Sequence, residues 1–575
     1  MVLPSNPPVS AVSIVEVLRA WADTTPDSLA FSFLTDAGEE GARLTYGDLD
    51  LQARAIAATL RDAAETGDRA LLMYPPGLEF IAAFLGCLAA GIIAVPAYPP
   101  RRNRKDERLR AIVKDAKPRL ILTSRQVLPT IETSELGNVN DSVSLATDAI
   151  EVGTDDNRPL PNIAGDRAAF LQYTSGSTGT PRGVIVTHDN LMANERAIQT
   201  AFRQTPDCVV VGWLPVFHDM GLIGNVLQPL HVGYSAVLLS PISFLREPVR
   251  WLQAISEYRG TTAGAPNFAY DLCVRGITEE QKQGLDLHSW TVAYNGAEPV
   301  WAETLDRFAE AFGGCGFRRA AFFPCYGLAE ATLFVSGSPA IEEPRRHCVD
   351  PSALEGGGQA VAAEPPAGRW LVSSGRPAEG TKVLAVDPTT RMAVPERRVG
   401  ELWVSSPSVA AGYWERDEET RTTFGNYLAS GEGPFLSTGD LGFLDGGEVF
   451  VTGRLKDLII IRGRNHYPQD IEQTAQSVHP SLRGGCGAAF ETYKDGQPML
   501  VIVQEIERRG RDLDAARLLG DVRQAVGRRH ELHVHDLVLL EPGSLPKTSS
   551  GKVQRYRCRL DYEQGTLRQW KRAKS

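Results

Sequence analysis

The stretch Tyr173-Thr-Ser-Gly-Ser-Thr-Gly-Thr-Pro-Arg-Gly183 constrains this chain more than any other. It packs three glycines and five hydroxyl residues between two apolar runs, 168–173 and 184–186, that read as strands. Glycines let backbone N–H groups turn toward an anion, and the hydroxyls of Thr174, Ser175, Ser177, Thr178 and Thr180 add donors. Pro181 then supplies a rigid exit and Arg182 a positive charge. A triphosphate is the natural guest. The stretch is not the P-loop of kinases and GTPases, because no Gly-Lys-Ser/Thr ends it. A surface turn uses the same residue types, so the reading depends on the residues further along the chain.

A chain of 575 residues exceeds one hydrophobic core, so two or more domains are expected. From about 165 to 335, strand-like runs (209–214, 236–239, 291–294, 320–323) alternate with helix-like runs (190–202, 248–258, 299–312). That alternation predicts an α/β fold of parallel sheets covered by helices on both faces. Residues 15–144 repeat it more loosely. Nucleotides bind such sheets at the carboxyl ends of strands, where the glycine-rich stretch begins. The pattern changes after 335. Residues 342–368 are rich in Pro, Gly, Ala and Glu and read as a loop-rich insertion. Residues 370–450 give short strands between Gly and Pro turns, as in a small β-barrel. The last 120 or so residues read as an α+β unit of ordinary domain size, with strands at 458–461, 487–490, 499–503 and 537–540 and helices near 469–478 and 513–527. The expected division is a large N-terminal domain, 1–455, of two helix-covered sheets plus the small β-barrel, then a small mobile C-terminal lid, 456–575.

The net charge of −10 argues against broad nucleic-acid binding. Residues 80–97 are apolar and long enough to raise the question of a membrane span. Gly86, Gly91 and Pro96 interrupt them, and 92–95 reads as a buried strand after a helix, so stable membrane insertion is not expected. Residues 1–10 lack a basic or apolar leader pattern. The eight cysteines are scattered without a Cys-x-x-Cys pair, as in reduced thiols of a cytoplasmic protein.

Several polar residues sit where chemistry could use them. Asp440, in Ser437-Thr-Gly-Asp-Leu-Gly442, follows a Gly turn and could accept both hydroxyls of a ribose, or simply cap a strand end. Arg454 and Lys456 lie at the domain junction, where Arg454 could bridge ribose and phosphate with its planar fork. Lys552, in Pro546-Lys-Thr-Ser-Ser-Gly-Lys552, stands on a Gly/Ser loop that could deliver its ammonium to a developing negative charge. Glu330 could hold Mg²⁺ beside phosphates, and Tyr326 offers a flat face to a purine. His218, in Phe217-His-Asp-Met-Gly221, follows a strand end and would point toward the same cleft. His530, His533 and His535 lack a carboxylate or cysteine partner at zinc-site spacing.

The order of these segments carries a resemblance. From about 15 to 560 the chain resembles the adenylate-forming superfamily of acyl-CoA synthetases, nonribosomal adenylation domains and luciferases. The matching segments are 174–183, 217–221, 295–299, 326–332, 437–442, 453–457 and 546–552. Within that superfamily it looks most like the fatty acyl-AMP ligases. Four wordings carry this: Gly264-Ala-Pro-Asn-Phe-Ala-Tyr-Asp271, Asn295-Gly-Ala-Glu-Pro299, Arg462-Gly-Arg-Asn-His-Tyr-Pro-Gln-Asp-Ile-Glu472 and Gly543-Ser-Leu-Pro-Lys-Thr-Ser-Ser-Gly-Lys-Val-Gln554. The 342–368 insertion falls where that subfamily carries one, which there restrains the C-terminal domain and disfavours use of CoA.

The resemblance implies roles. Thr174, Ser175, Gly176, Ser177, Thr178 and Gly179 would bind the ATP phosphates. Asn295, Gly296, Ala297, Tyr326 and Gly327 would frame the nucleotide, with Asp440 and Arg454 on its ribose and Glu330 on Mg²⁺. Lys552 and His218 would be catalytic, Met220 and Gly221 would flank an acyl tunnel, and Lys456 would be the hinge. The substrates implied are ATP and a fatty acid, and the acceptor is the phosphopantetheine of an acyl carrier protein. Two departures from the wider superfamily stand out. Ala329 replaces a threonine before the acidic residue, and Arg182 replaces a lysine, keeping charge but not geometry.

Overall fold

The computed structural model describes residues 11–100, 107–133, 142–153, 161, 163–174, 181–365, 368–462, 464–494, 497–507, 514–548 and 551–570. Its largest sheet has nine strands. The six inner strands run parallel: Phe322–Gly327, Val292–Asn295, Thr262–Ala265, Val209–Gly212, Ser235–Leu238 and Leu29–Leu34. Antiparallel strands close both edges. Thr262–Ala265 and Val292–Asn295 are buried at every residue, as continuous short apolar runs predict for central parallel strands. Trp290 lies beneath them, fully buried, donating Nε1–H to Ala263 and Val292 carbonyls at 3.1 and 3.0 Å. The predicted strand 320–323 begins later, because Arg319–Ala321 forms a 3₁₀ turn first.

The second sheet has seven strands. Ile93–Ala97 pairs parallel with Arg69–Met73, and the helix Glu79–Ala90 before it is buried from Phe80 to Ala90. The long apolar run is therefore a core helix and a core strand. Among the described residues no helix is long and apolar enough to cross a membrane. Ala168–Thr174 and Arg182–Thr187 pair antiparallel, Thr174 opposite Arg182. The glycine-rich stretch therefore connects a hairpin, not a parallel crossover.

The β-barrel expected over 370–450 is not formed. Met392–Ala393, Lys382–Asp387, Gly400–Ser405, Leu436–Asp445 and Glu448–Arg454 make an open five-stranded antiparallel sheet. The reason lies at its last edge. Ser374 donates its N–H to the Val449 carbonyl, and Val449 donates to Gly375, both at 2.8 Å. That edge is already covered, so nothing drives closure against the first strand.

The insertion is more ordered than its composition suggested. Arg346–Val349 pairs with Arg369–Val372, and Asp350 caps the helix Pro351–Gly357 by accepting from Ser352 and Ala353. Its root is charged. Asp445 receives Arg345 at 2.6 Å, His347 at 2.6 Å and Arg397 at 2.9 Å. Its tip faces the C-terminal segment, where Glu355 lies 3.1 Å from His466 Nδ1 and 3.5 Å from Arg464. Arg369 pairs with Asp470 at 2.7 Å and sits over the Tyr467 ring. Tyr467 shares an apolar cluster with Val349, Leu354, Leu371, Phe443 and Phe450.

In the C-terminal segment, Leu482–Lys494, Gln497–Ile506 and Val534–Leu540 form one sheet packed by Pro468–Ser477, Ala515–His530 and Arg555–Glu563. Arg555 joins both Glu472 oxygens at 2.7 Å and Asp457 at 3.0 Å. His530 is buried, 2.8 Å from the Thr474 hydroxyl.

Hydrogen bonds from Arg397 and His347, with the charge of Arg345, outweigh burial and hold the Asp445 carboxyl at about 2. A folded-state value below the unfolded one stabilises above the unfolded pKa. That stability is lost as pH falls from about 4 through 2. Asp445→Asn should therefore cost on the order of 2 kcal/mol near neutrality. The gap from wild type in unfolding midpoint should narrow steadily below about pH 4. A gap that stays constant to pH 2 would contradict this.

Candidate active site

The carboxyl ends of the nine-stranded sheet meet the five-stranded sheet and the C-terminal segment. Three strand ends bring polar groups there. Val292–Asn295 ends on Asn295, which is fully buried with neither its amide oxygen nor its amide nitrogen partnered. Gly296 and Ala297 follow, Ala297 in the left-handed region at φ 69°. A non-glycine residue held there marks a loop fixed by its surroundings. Phe322–Gly327 ends on Tyr326 and Gly327, and Glu330 follows on the 3₁₀ turn Ala329–Ala331. Beyond Val209–Gly212, His218 caps the short helix Asp219–Leu222, which carries Met220 and Gly221.

Asp440 and Arg454 stand directly opposite each other on neighbouring antiparallel strands. Arg454 Nε donates to Asp440 Oδ1 at 2.8 Å, and the Tyr326 hydroxyl donates to Oδ2 at 2.8 Å. The turn beneath is fixed by Glu401. Its carboxylate accepts from Ser437 Oγ at 2.5 Å, Gly439 N at 2.9 Å and Trp403 Nε1 at 2.9 Å. Gly439 has φ 73°, a conformation the turn needs and glycine supplies cheaply.

Glu330 is reached by the Tyr413 hydroxyl at 2.9 Å. Arg182 lies over the Tyr413 ring at 5.3 Å and pairs with Glu419 at 2.7 Å. Burial pushes the Glu330 carboxyl up, and the Tyr413 hydroxyl and Arg454 offset this only in part. The carboxylate is thus under-compensated, which suits a site for a divalent cation. The same hairpin is braced by Tyr173, whose hydroxyl donates to Asp115 at 2.7 Å, and by Arg416 on Asp115 at 2.8 Å.

The C-terminal segment contributes Lys552. Burial and the Arg454 guanidinium push its pKa down, while Asp219, Asp440 and Glu298 pull it back up. The charges that act on this ammonium come from the loops after two strands of the nine-stranded sheet and from two strands of the five-stranded sheet. Burial would raise the Asp219 carboxyl, but His218 at 2.7 Å, the Lys552 charge and the Met220 N–H hold it at about 2.

Residues 18–414 match the AMP-binding enzyme family, and residues 456–572 match the AMP domain of the Disco-interacting protein 2-like family. The chain belongs to the AMP-binding enzyme family. This member is 47% identical over 569 residues to a medium-chain-fatty-acid–acyl-carrier-protein ligase of Moorena producens, covering 97% of this chain and 96% of that protein. It is 39% identical to a long-chain-fatty-acid–AMP ligase of Mycobacterium marinum, over 96% and 97% of the two chains. The crystal structure of the fatty acyl-adenylate ligase of Legionella pneumophila with acyl adenylate and pyrophosphate superposes with a TM-score of 0.76, at 40% identity over 99% of both chains. A structure reported with the fatty acyl-adenylate ligases of E. coli and L. pneumophila gives 0.89, at 34% identity over 98% and 99%. Together these place the AMP-binding enzyme among acyl-adenylate-forming relatives along its whole length.

Among the expected site residues, hydrogen bonds join Tyr326, Asp440 and Arg454 directly, the charge of Lys552 acts on this group, and His218, Asn295 and Glu330 follow or end neighbouring strands. Thr174 ends its strand, whereas Ser175, Gly176, Ser177, Thr178 and Gly179 lie outside the described residues. Lys456 is exposed on the turn Leu455–Asp457. Asp219, Glu298, Glu401 and Tyr413 were not among the residues expected from sequence. Asp219 and Glu298 were inside quoted motifs, but a lone carboxylate carries no mark of its partner. Tyr413 meets Glu330 from 83 residues away, and no local pattern announces that.

Asp440→Asn keeps the shape but removes the charge that Arg454 and Tyr326 share. In this AMP-binding enzyme it should weaken ATP binding by about tenfold or more, measured by calorimetric titration, with the unfolding midpoint little changed. Unaltered ATP affinity would contradict the assigned geometry.

Proposed function

We propose that this protein is a fatty acyl-AMP ligase that activates a fatty acid with ATP and passes the acyl group to the phosphopantetheine thiol of an acyl carrier protein. The observation that carries the reading is Lys552. Its ammonium, carried by the C-terminal segment, is acted on by the charges of Asp219, Asp440 and Arg454, in a chain whose full-length relatives are fatty-acid–AMP and fatty-acid–carrier-protein ligases.

In the first step a carboxylate oxygen attacks the α-phosphorus of ATP. The new carboxylate–phosphorus bond forms as the bond to the bridging oxygen breaks, and pyrophosphate leaves with the electron pair. A carboxylate is already an adequate nucleophile, so the residues mainly align and neutralise. Lys552 would stand at the reacting carboxylate and α-phosphate. His218 and the ionised Asp219 would flank the fatty acid carboxylate, with Met220 and Gly221 beside the acyl chain. The unpartnered amide of Asn295 offers both a donor and an acceptor to the adenine edge, and Asp440 with Arg454 would take the ribose. The hydroxyls and glycines from Thr174 to Gly179 would take the phosphates. Glu330 would hold Mg²⁺, which would supply positive charge to the phosphates. In the second step the thiol attacks the acyl carbon and AMP leaves. For that step Lys456 would serve as the hinge of a C-terminal lid, 456–575, turning against an N-terminal domain, 1–455. A cytoplasmic setting belongs to the same proposal.

Preference for a carrier protein over free CoA is supported by the insertion. Its contacts to Arg464, His466 and Tyr467, with the pairing of the neighbouring Arg369 to Asp470, would fasten the C-terminal segment in the pose that serves adenylation.

Lys552→Ala should lower fatty-acid-dependent pyrophosphate release by at least about a hundredfold, with circular dichroism and the unfolding midpoint unchanged. A rate near wild type in folded protein would contradict the proposal.

A further inference from the structure

Glu298 has no part in the chemistry above, yet it is one of three carboxylates whose charge acts on Lys552. It sits on the loop after Asn295 and is held firmly. Its Oε1 accepts the Phe268 N–H at 2.6 Å, at the start of the helix Asn267–Gly276, whose own cap residue Pro266 offers no side-chain acceptor. Burial raises its carboxyl, against the Phe268 N–H and the positive charges of Lys547 and Lys552. Both lysines belong to the same C-terminal loop. That loop touches the same helix, because a Cβ at Gly551 would stand 3.4 Å from Phe268 Cε1. Gly551 itself adopts φ 87°, which glycine tolerates and other residues resist.

The described residues of the loop are tied to one another. Thr548 N donates to the Lys552 carbonyl at 2.8 Å, Gly551 N to the Thr548 carbonyl at 3.0 Å and Lys552 N to Thr548 Oγ1 at 3.0 Å. Lys547 Nζ ties it back to the Gly485 carbonyl at 2.8 Å. A charge that draws Lys552 toward the sheet therefore acts on a residue already tied to Thr548.

We infer that Glu298 is a positioning residue for the adenylation step: with Phe268 it forms the seat against which Gly551 and Lys552 rest, and its negative charge steers the Lys552 ammonium toward the cleft. This rests on the acyl-adenylate reading and adds to it a residue that acts through the lysine. The alternative is that Glu298 only caps the helix at Phe268, and the two differ in what charge removal does.

Glu298→Gln keeps the size and the acceptor for Phe268 but loses the charge. Expected is a fall of about tenfold in kcat for pyrophosphate release, with KM for ATP within about twofold. The alkaline limb of the rate profile should move to lower pH, because Lys552 keeps Arg454 as neighbour and loses one of the three carboxylates, leaving Asp219 and Asp440. Glu298→Asp should restore part of that limb. In a Lys552→Ala background, Glu298→Gln should have no further effect on the slow residual rate, followed by single-turnover mass spectrometry. Wild-type kcat and an unmoved alkaline limb in folded Glu298→Gln would overturn the inference, as would an equal loss in the Lys552→Ala background. No pyrophosphate from the wild-type chain with any fatty acid would overturn the acyl-adenylate reading and this inference with it.

Discussion

A single ammonium organises this molecule. Lys552, carried by the C-terminal segment, feels the charges of Asp219, Asp440 and Glu298 against that of Arg454. Desolvating a lysine next to a guanidinium is unfavourable unless carboxylates surround it. Those carboxylates come from loops or strands that the linear sequence keeps far apart. The nine-stranded sheet supplies two of them beyond its carboxyl ends, and the five-stranded sheet supplies the third from the strand Leu436–Asp445. The fold can thus be read as the scaffold that brings three acidic positions to one lysine.

The same arrangement explains the number of fixed turns around the site. Glu401 holds the Gly439 turn under Asp440, Tyr413 holds Glu330, and Phe268 holds Glu298. None of these supporting groups needs to touch a substrate. Each removes freedom from a residue proposed to touch substrate or to steer the lysine, and preorganised charge of this kind is what makes electrostatic stabilisation effective. On the other side of the C-terminal segment, the insertion's Glu355 and the neighbouring Arg369 give it a second charged attachment.

Much of this was legible in the residues, and the exceptions are instructive. Runs such as 291–294 and 499–503 announced buried strands because they are short, apolar and bounded by turn residues. The apolar run 80–97 resolved into helix and strand at Gly91, whose φ of 72° ends the helix. The helix Arg555–Glu563 was missed because charged and uncharged residues alternate along it, against a helical period, and only Cys558 is buried. It is held by Arg555 on Glu472 and Asp457, partners invisible to periodicity. The barrel was inferred from many short strands with turns, a pattern that fits an open sheet equally well. What decided between them was a pair of backbone hydrogen bonds, from Ser374 to Val449 and from Val449 to Gly375. In the site, Lys552, Asp440, Arg454 and His218 stood in motifs, whereas Glu401 and Tyr413 gained meaning only through contacts across the fold.

The central claim is that the cleft makes an acyl-adenylate and hands it to a carrier-bound thiol. The most direct measurement is mass spectrometry of products from the purified chain with Mg·ATP and a panel of medium- and long-chain fatty acids, run with CoA, with a phosphopantetheinylated acyl carrier protein, or with neither. The account predicts acyl-AMP without an acceptor, acyl-carrier protein where the carrier is supplied, and no acyl-CoA. Abundant acyl-CoA would contradict the choice of acceptor, and the absence of acyl-AMP with every fatty acid would contradict the account as a whole.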